Sequence, residues 1–172
     1  MTDKEFLYSR IGMALISVQR VEYATRELVN HLLEFDKNVY GITSDAFLSY
    51  SSKGKILRKQ TLGQVFKLLK LNPRWVIEDE LNFYLQKRNQ LVHEFFEKYM
   101  TTYSQEQVKT AADFCYNLGK ASDQLESFFR GFIFFLSMRH VKDRFHLDDE
   151  IKKWENDFEF FIASLKKKSL FD

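Results

Sequence analysis

Only one cysteine, Cys115, occurs in the 172 residues, which excludes an internal disulfide and any zinc site built from several thiolates. One proline and six glycines supply too little turn chemistry for a sandwich or barrel of many short strands, so the composition points to helices. Nowhere do 18 apolar residues run together, and the start, Met1-Thr2-Asp3-Lys4-Glu5, lacks the basic, apolar, small-residue order of a signal peptide. A soluble cytoplasmic protein with no membrane association is the expectation. No glycine-rich phosphate loop is present, because Gly119 and Gly131 sit inside helical pattern and Gly41, Gly54 and Gly63 are scattered. None of His31, His93, His140 and His146 stands four residues from another, the spacing that puts two ligands on one helical face, so no metal and no cofactor is expected.

What is there reads as a single all-α domain over residues 1–172, a bundle of about five helices. A chain of this length buries roughly 70% of the surface it exposes when unfolded, enough for one ordinary core. Thr2 and Glu5 make a capping-box pair before an apolar stripe of Leu7, Ile11, Ala14, Val18, Val21, Leu28 and Leu32 that lasts to about Phe35. The pattern dissolves between Asp36 and Lys53, and a second helix is expected from about Lys55 to Leu71. Asn72 and Pro73 suit the cap and first turn of a third helix, with a stripe of Leu81, Leu85, Arg88, Val92, Phe95 and Tyr99. Ser104 and Gln107 form another capping box, which opens a fourth helix with a break expected near Gly131 or His140. A last helix is expected over about Asp148–Lys168, acids first and lysines last, as the helix dipole prefers. Phe128, Phe129, Phe132, Phe134 and Phe135 cover nearly the whole circumference of the fourth helix, which predicts that part of it meets a second copy in a homodimer.

Charge is nearly balanced overall, at +2, but unevenly spread. No acid lies between Asp45 and Glu78, where Lys53, Lys55, Arg58, Lys59, Lys67, Lys70 and Arg74 give +7. Such a block either forms a solvated helix face or steers a polyanion.

The third helix holds the informative segment, Lys87-Arg88-Asn89-Gln90-Leu91-Val92-His93. Arg88 interrupts an apolar stripe, where an unpaired guanidinium is costly, and Glu22 occupies an equally odd place in a stripe of Ile11, Leu15, Val18 and Val29. Two opposite charges on two core-facing stripes suggest a pair that orients the arginine. Histidine can take or give a proton near neutral pH, arginine can clamp a phosphate and its developing charge, and asparagine can orient either. Arg26 and His31 repeat the arginine–histidine spacing, but Glu27 follows Arg26, and the two read as an exposed surface pair. Cys115 lies on an apolar stripe and reads as buried packing.

Arg88-Asn89-Gln90-Leu91-Val92-His93 resembles the Arg-polar-x-x-x-His motif of the HEPN superfamily, and the helical pattern agrees over roughly the whole chain. The resemblance implies a helical-bundle homodimer in which two copies of the motif make one metal-independent endoribonuclease site. Arg88, Asn89 and His93 carry over as active-site residues and Glu22 only as a supporting acid. Independently of the resemblance, basic charge makes Lys53, Lys55, Arg58, Lys59 and Lys87 candidate RNA contacts. Family members commonly act in bacterial antiviral defence or stress response, some as toxins held by an antitoxin. Where an antitoxin silences such a toxin by modifying a tyrosine two residues after the histidine, this chain has Phe95, and Tyr99 lies one turn further. The alternative is a non-catalytic module that keeps the fold and binds RNA, a nucleotide or a protein partner, and a purely structural dimerisation protein is a third class.

Overall fold

The computed structural model describes residues 3–34, 78–138, 141 and 144–168. All regular structure in them is helical, so the chain is all-α. α1 spans Asp3–Glu34 and α2 spans Glu78–Asn89. A π-helical turn, Gln90–Glu94, leads on into α3, Phe95–Tyr99. The 34-residue α4 covers Gln105–Met138, and after a 3-10 turn at Arg144–His146 come α5, Asp149–Lys152, and α6, Glu155–Lys168. The expected helix at Lys55–Leu71, the Asn72 cap and the basic residues Lys53, Lys55, Arg58 and Lys59 lie outside the described residues. Among the described residues no helix is long and apolar enough to cross a membrane.

Local chemistry accounts for the ends. Ser104 caps α4 by accepting from the Gln107 backbone at 3.2 Å, as one half of the expected capping box. The other half is replaced, because the Gln107 side chain accepts from the Thr102 backbone N–H at 3.0 Å and its hydroxyl at 2.7 Å, which ties down the preceding turn instead. Asp148 caps α5 by accepting from Glu150 at 2.8 Å. The expected last helix is interrupted at Lys153–Trp154, so it forms two pieces.

Contacts divide the chain into two compact units, and α1 and α4 each run through both. The first unit takes α1 up to Val21, residues 79–104 and α4 up to Leu125. Within it α1 and α4 lie alongside and point the same way. Tyr103, just before α4, meets Lys4 near the start of α1, Arg10 lies over Tyr116, and Arg20 pairs with Asp123. Its core is Leu7, Ala14, Val18 and Val21 against Leu81, Tyr84, Leu91, Phe95, Ala111, Cys115 and Leu118. Inside that core the Tyr84 hydroxyl lies 3.1 Å from Ser122 Oγ, which donates to the Leu118 carbonyl at 2.8 Å.

The second unit holds α1 from Glu22 and α4 from Glu126, with α5 and α6. Its core is aromatic. Phe161 of α6 packs edge-on to Phe128 and stacks on Phe132, with centroids at 5.0 and 5.3 Å, while Phe158 lies 5.1 Å from Phe134. Phe128, Phe129, Phe132 and Phe134 are buried by the chain itself and Phe135 is half-buried. Most of the phenylalanine-covered circumference is thus covered within the second unit, with Phe135 left at its half-buried edge.

α4 passes through Gly131 without a break, and His140, the other place expected for one, lies outside the described residues. A Cβ there would stand 2.6 Å from Phe161 Cβ and 2.7 Å from the Asp157 carbonyl carbon, so the glycine serves a close approach of α6 to α4. One residue earlier, Arg130 reaches the buried Glu126 carboxylate at 2.6 Å and lies over the Trp154 ring at 5.8 Å. That arginine ties the turn between α5 and α6 to α4.

Candidate functional site

The motif falls on the π-helical turn and the residues just before it, all in the first unit. In an uninterrupted α-helix five residues place Arg88 and His93 about 140° apart around the axis. A π turn bonds i to i+5 and takes in about one residue more, so the angle between positions five apart shrinks and the two ends of the motif move toward one side. Such turns are rare and expose backbone and side chains in ways that recur at functional sites. The distortion ends at Glu94, whose φ of −121° and ψ of −4° leave the helical region before α3 resumes.

Two side-chain contacts brace the turn. Gln90 Nε2 donates to Tyr99 Oη at 2.9 Å, spanning it from its first residue to the end of α3. Tyr99 is held in turn by Phe95 and Phe114, each with ring centroids at 5.2 Å. Lys98 reaches back to Glu94 at 2.6 Å, and that hydrogen bond holds the ammonium pKa above its ordinary value.

On this scaffold His93 and Asn89 are exposed and Arg88 is half-buried, with its Nε withdrawn from solvent. Arg88 Nη1 donates to Asn89 Oδ1 at 3.2 Å, so the asparagine orients the arginine beside it. Lys87 is half-buried and its Nζ lies 5.4 Å from the Phe83 ring centroid and 5.8 Å from that of Phe114. Leu91 rather than Val92 is buried on the turn, and Val92 and Phe96 are 45% and 65% exposed. Polar chemistry and apolar surface thus adjoin at His93.

Glu22 lies in the second unit, mostly buried, with its carboxylate 4.0 Å from Arg26 one turn on. Arg26, expected to pair on the surface with Glu27, reaches back along α1 instead. Leu15 is exposed, so the stripe drawn through Leu15 and Glu22 runs along the edge of the buried face, whose positions are Val18, Val21 and Thr25. Phe95, at the position of the modifiable tyrosine, is buried, and the Tyr99 hydroxyl is engaged by Gln90. Burial pushes the Cys115 thiol up to about 12, so it is no nucleophile near neutral pH. Among the described residues no three of His, Cys, Asp and Glu gather as metal ligands.

Sequence reasoning missed the π turn and the Gln90–Tyr99 brace. Gln90 stood inside the motif and Tyr99 on the same stripe, but an i to i+5 turn leaves no mark in apolar spacing. Comparison with protein-family models, with curated proteins and with solved structures finds no match to this chain.

Proposed function

We propose that this protein is a metal-independent endoribonuclease of HEPN type, in which Arg88, Asn89 and His93 act on RNA. The observation that carries the reading is the π turn within the motif, which draws Arg88 and His93 toward one side of a helix while leaving His93 and Asn89 in solvent. His93 accepts the proton of a ribose 2′-hydroxyl, and the oxygen attacks the adjacent phosphorus. The P–O5′ bond breaks, leaving a 2′,3′-cyclic phosphate and a 5′-hydroxyl. Arg88 stabilises the charge that develops on the non-bridging oxygens, and its hydrogen bond to Asn89 fixes its approach. In a homodimer the second copy of the motif supplies the proton to the leaving 5′-oxygen. Exposed Val92 and Phe96 beside His93 support a second copy covering this face, in place of the phenylalanines of α4. An antitoxin or other controlling partner, and a place in defence or stress response, belong to the same reading.

The test is incubation of purified protein with labelled single-stranded and structured RNA in EDTA, beside Arg88→Ala and His93→Ala variants of verified folding and oligomeric state. Cleavage by the parent protein alone, with cyclic-phosphate ends, is expected. Equal cleavage by parent and variants, or RNA binding without cleavage in all three, would sink the nuclease reading, and the second outcome would favour a binding module.

A further inference from the structure

The first unit carries a second surface, and the motif has no part in it. At the start of α1, Lys4 and Tyr8 stand one turn apart, as do Phe6 and Arg10. Opposite them lie Tyr103, in the turn before α4, and Tyr116 and Lys120, one turn apart on α4. Lys4 Nζ is 5.0 Å from the Tyr103 ring centroid. The Arg10 guanidinium lies over both Phe6 and Tyr116, at 5.0 and 5.2 Å, and Lys120 Nζ stands 4.6 Å from Tyr116. Cations and aromatic rings therefore alternate along the seam between α1 and α4. The cations do not cover the rings, for Tyr8, Tyr103 and Tyr116 remain 52%, 37% and 45% exposed.

Tyr103 adds an independent mark. Its φ of +52° puts a bulky side chain in the left-handed region, a costly conformation that glycine or asparagine would adopt with less strain. The conformation presents its ring to Lys4 and its hydroxyl to Tyr8. The contacts of its ring with Lys4 and of its hydroxyl with Tyr8 hold the residue in this conformation.

We propose that this seam is a binding track for single-stranded nucleic acid. Bases stack against the exposed parts of Tyr8, Tyr103 and Tyr116, and phosphates pass Lys4, Arg10 and Lys120. A protein partner could use tyrosines and an arginine too, but ring and cation repeating in alternation match the repeat of base and phosphate. Each long cationic side chain is already ordered against a ring, which reduces the entropy lost when it meets a phosphate. Asp3 and Glu5, exposed on either side of Lys4, Asp113, exposed one turn before Tyr116, and Asp123, which pairs with Arg20, are the neighbouring charges that oppose a polyanion. The proposal shares RNA as a ligand class with the nuclease reading but uses none of Arg88, Asn89 or His93, so each can fail alone.

The test is the affinity of the full chain for a fluorescent single-stranded oligonucleotide with 2′-O-methyl sugars, which can bind but cannot supply the attacking hydroxyl. Anisotropy titrations at several salt concentrations compare the parent protein with four variants. Tyr116→Ala is expected to weaken binding roughly ten-fold and Tyr116→Phe to restore it, because stacking needs the ring and not the hydroxyl. Lys4→Ala combined with Lys120→Ala should reduce the magnitude of the slope of log K against log salt by about 1.4. Tyr103→Gly should weaken binding while the helical circular dichroism of the parent is kept, which separates loss of the ring from loss of the fold. The track is overturned if the parent does not bind, or if Tyr116→Ala and the double lysine variant bind unchanged. It is overturned as well if Tyr116→Ala loses binding of an acidic peptide but not of the oligonucleotide, which would mark a protein-docking face.

Discussion

The two units put similar aromatic content to opposite uses. In the second, Phe128, Phe129, Phe132 and Phe134 of α4 turn inward toward Phe158 and Phe161 of α6, so that Phe129 and Ile133 are fully buried and Gly131 is held against α6, while Phe145 stands exposed at its edge. In the first, Tyr103, Tyr116 and Phe83 stay at the surface beside Lys4, Arg10, Lys87 and Lys120, and a π turn interrupts the helix that bears the motif. A ring with a hydroxyl or a cation over its face tolerates water, while bare phenylalanine is favoured inside. The contrast predicts that the second unit governs stability and the first governs binding and chemistry.

The largest expected breach of that contrast is Phe129→Ala, which removes a fully buried ring and should cost about 3–5 kcal/mol of folding stability in urea unfolding. His93→Ala should stay within roughly 0.5 kcal/mol of the parent in the same experiment, while abolishing cleavage by about 100-fold or more if the proposed chemistry holds. A destabilised His93→Ala, or an undisturbed Phe129→Ala, would erase the division of labour.

Gly131→Ala comes next. Its methyl would meet the α6 backbone at Asp157, which cannot swing aside as a side chain tip can, so a loss of about 1–3 kcal/mol and a lower melting temperature are expected. In the first unit Gly12→Ala meets nothing within 4 Å and should be neutral or stabilising by several tenths of a kcal/mol, because alanine favours a helix.

Cys115 gives a pH-dependent comparison. The folded state keeps the thiol proton up to about pH 12, whereas the unfolded chain releases it near pH 9. Stability from this group is therefore complete below about pH 9 and lost as pH rises toward 12, since the unfolded state binds fewer protons in that window. Urea melts between pH 8 and 11 should fall more steeply for the parent than for Cys115→Ala. Parallel slopes would show that the thiol is not buried in solution.

The smallest effect is expected at the pair of Arg20 and Asp123, both well exposed, where Asp123→Asn should cost less than about 1 kcal/mol and less still in high salt.

Much of the architecture was legible in the residues. α1 follows its apolar stripe, with Leu7, Ala14, Val18, Val21 and Leu28 buried as the 3.6-residue period requires, and Ser104 starts α4 as its hydroxyl predicts. A glycine inside a helical pattern signals either weakness or close approach, and at Gly131 only the position of α6 decides for the second. A sequence shows how much apolar surface the α4 phenylalanines carry but not what covers it.

Local rules, then, determined by themselves that the chain is helical, where α1 and α4 run, and that Arg88, Asn89 and His93 share one polar segment on a helix. Those outcomes depend on neighbours within a few residues, where capping, side-chain period and backbone preference act. Tertiary structure decided the rest. It set the π turn within the motif, the Gln90–Tyr99 brace, the strained Tyr103 against Lys4 and Tyr8, and the burial of the α4 phenylalanines under α6. Each of these is fixed by packing between residues distant in sequence or by a change of helical register, and neither leaves a local signature.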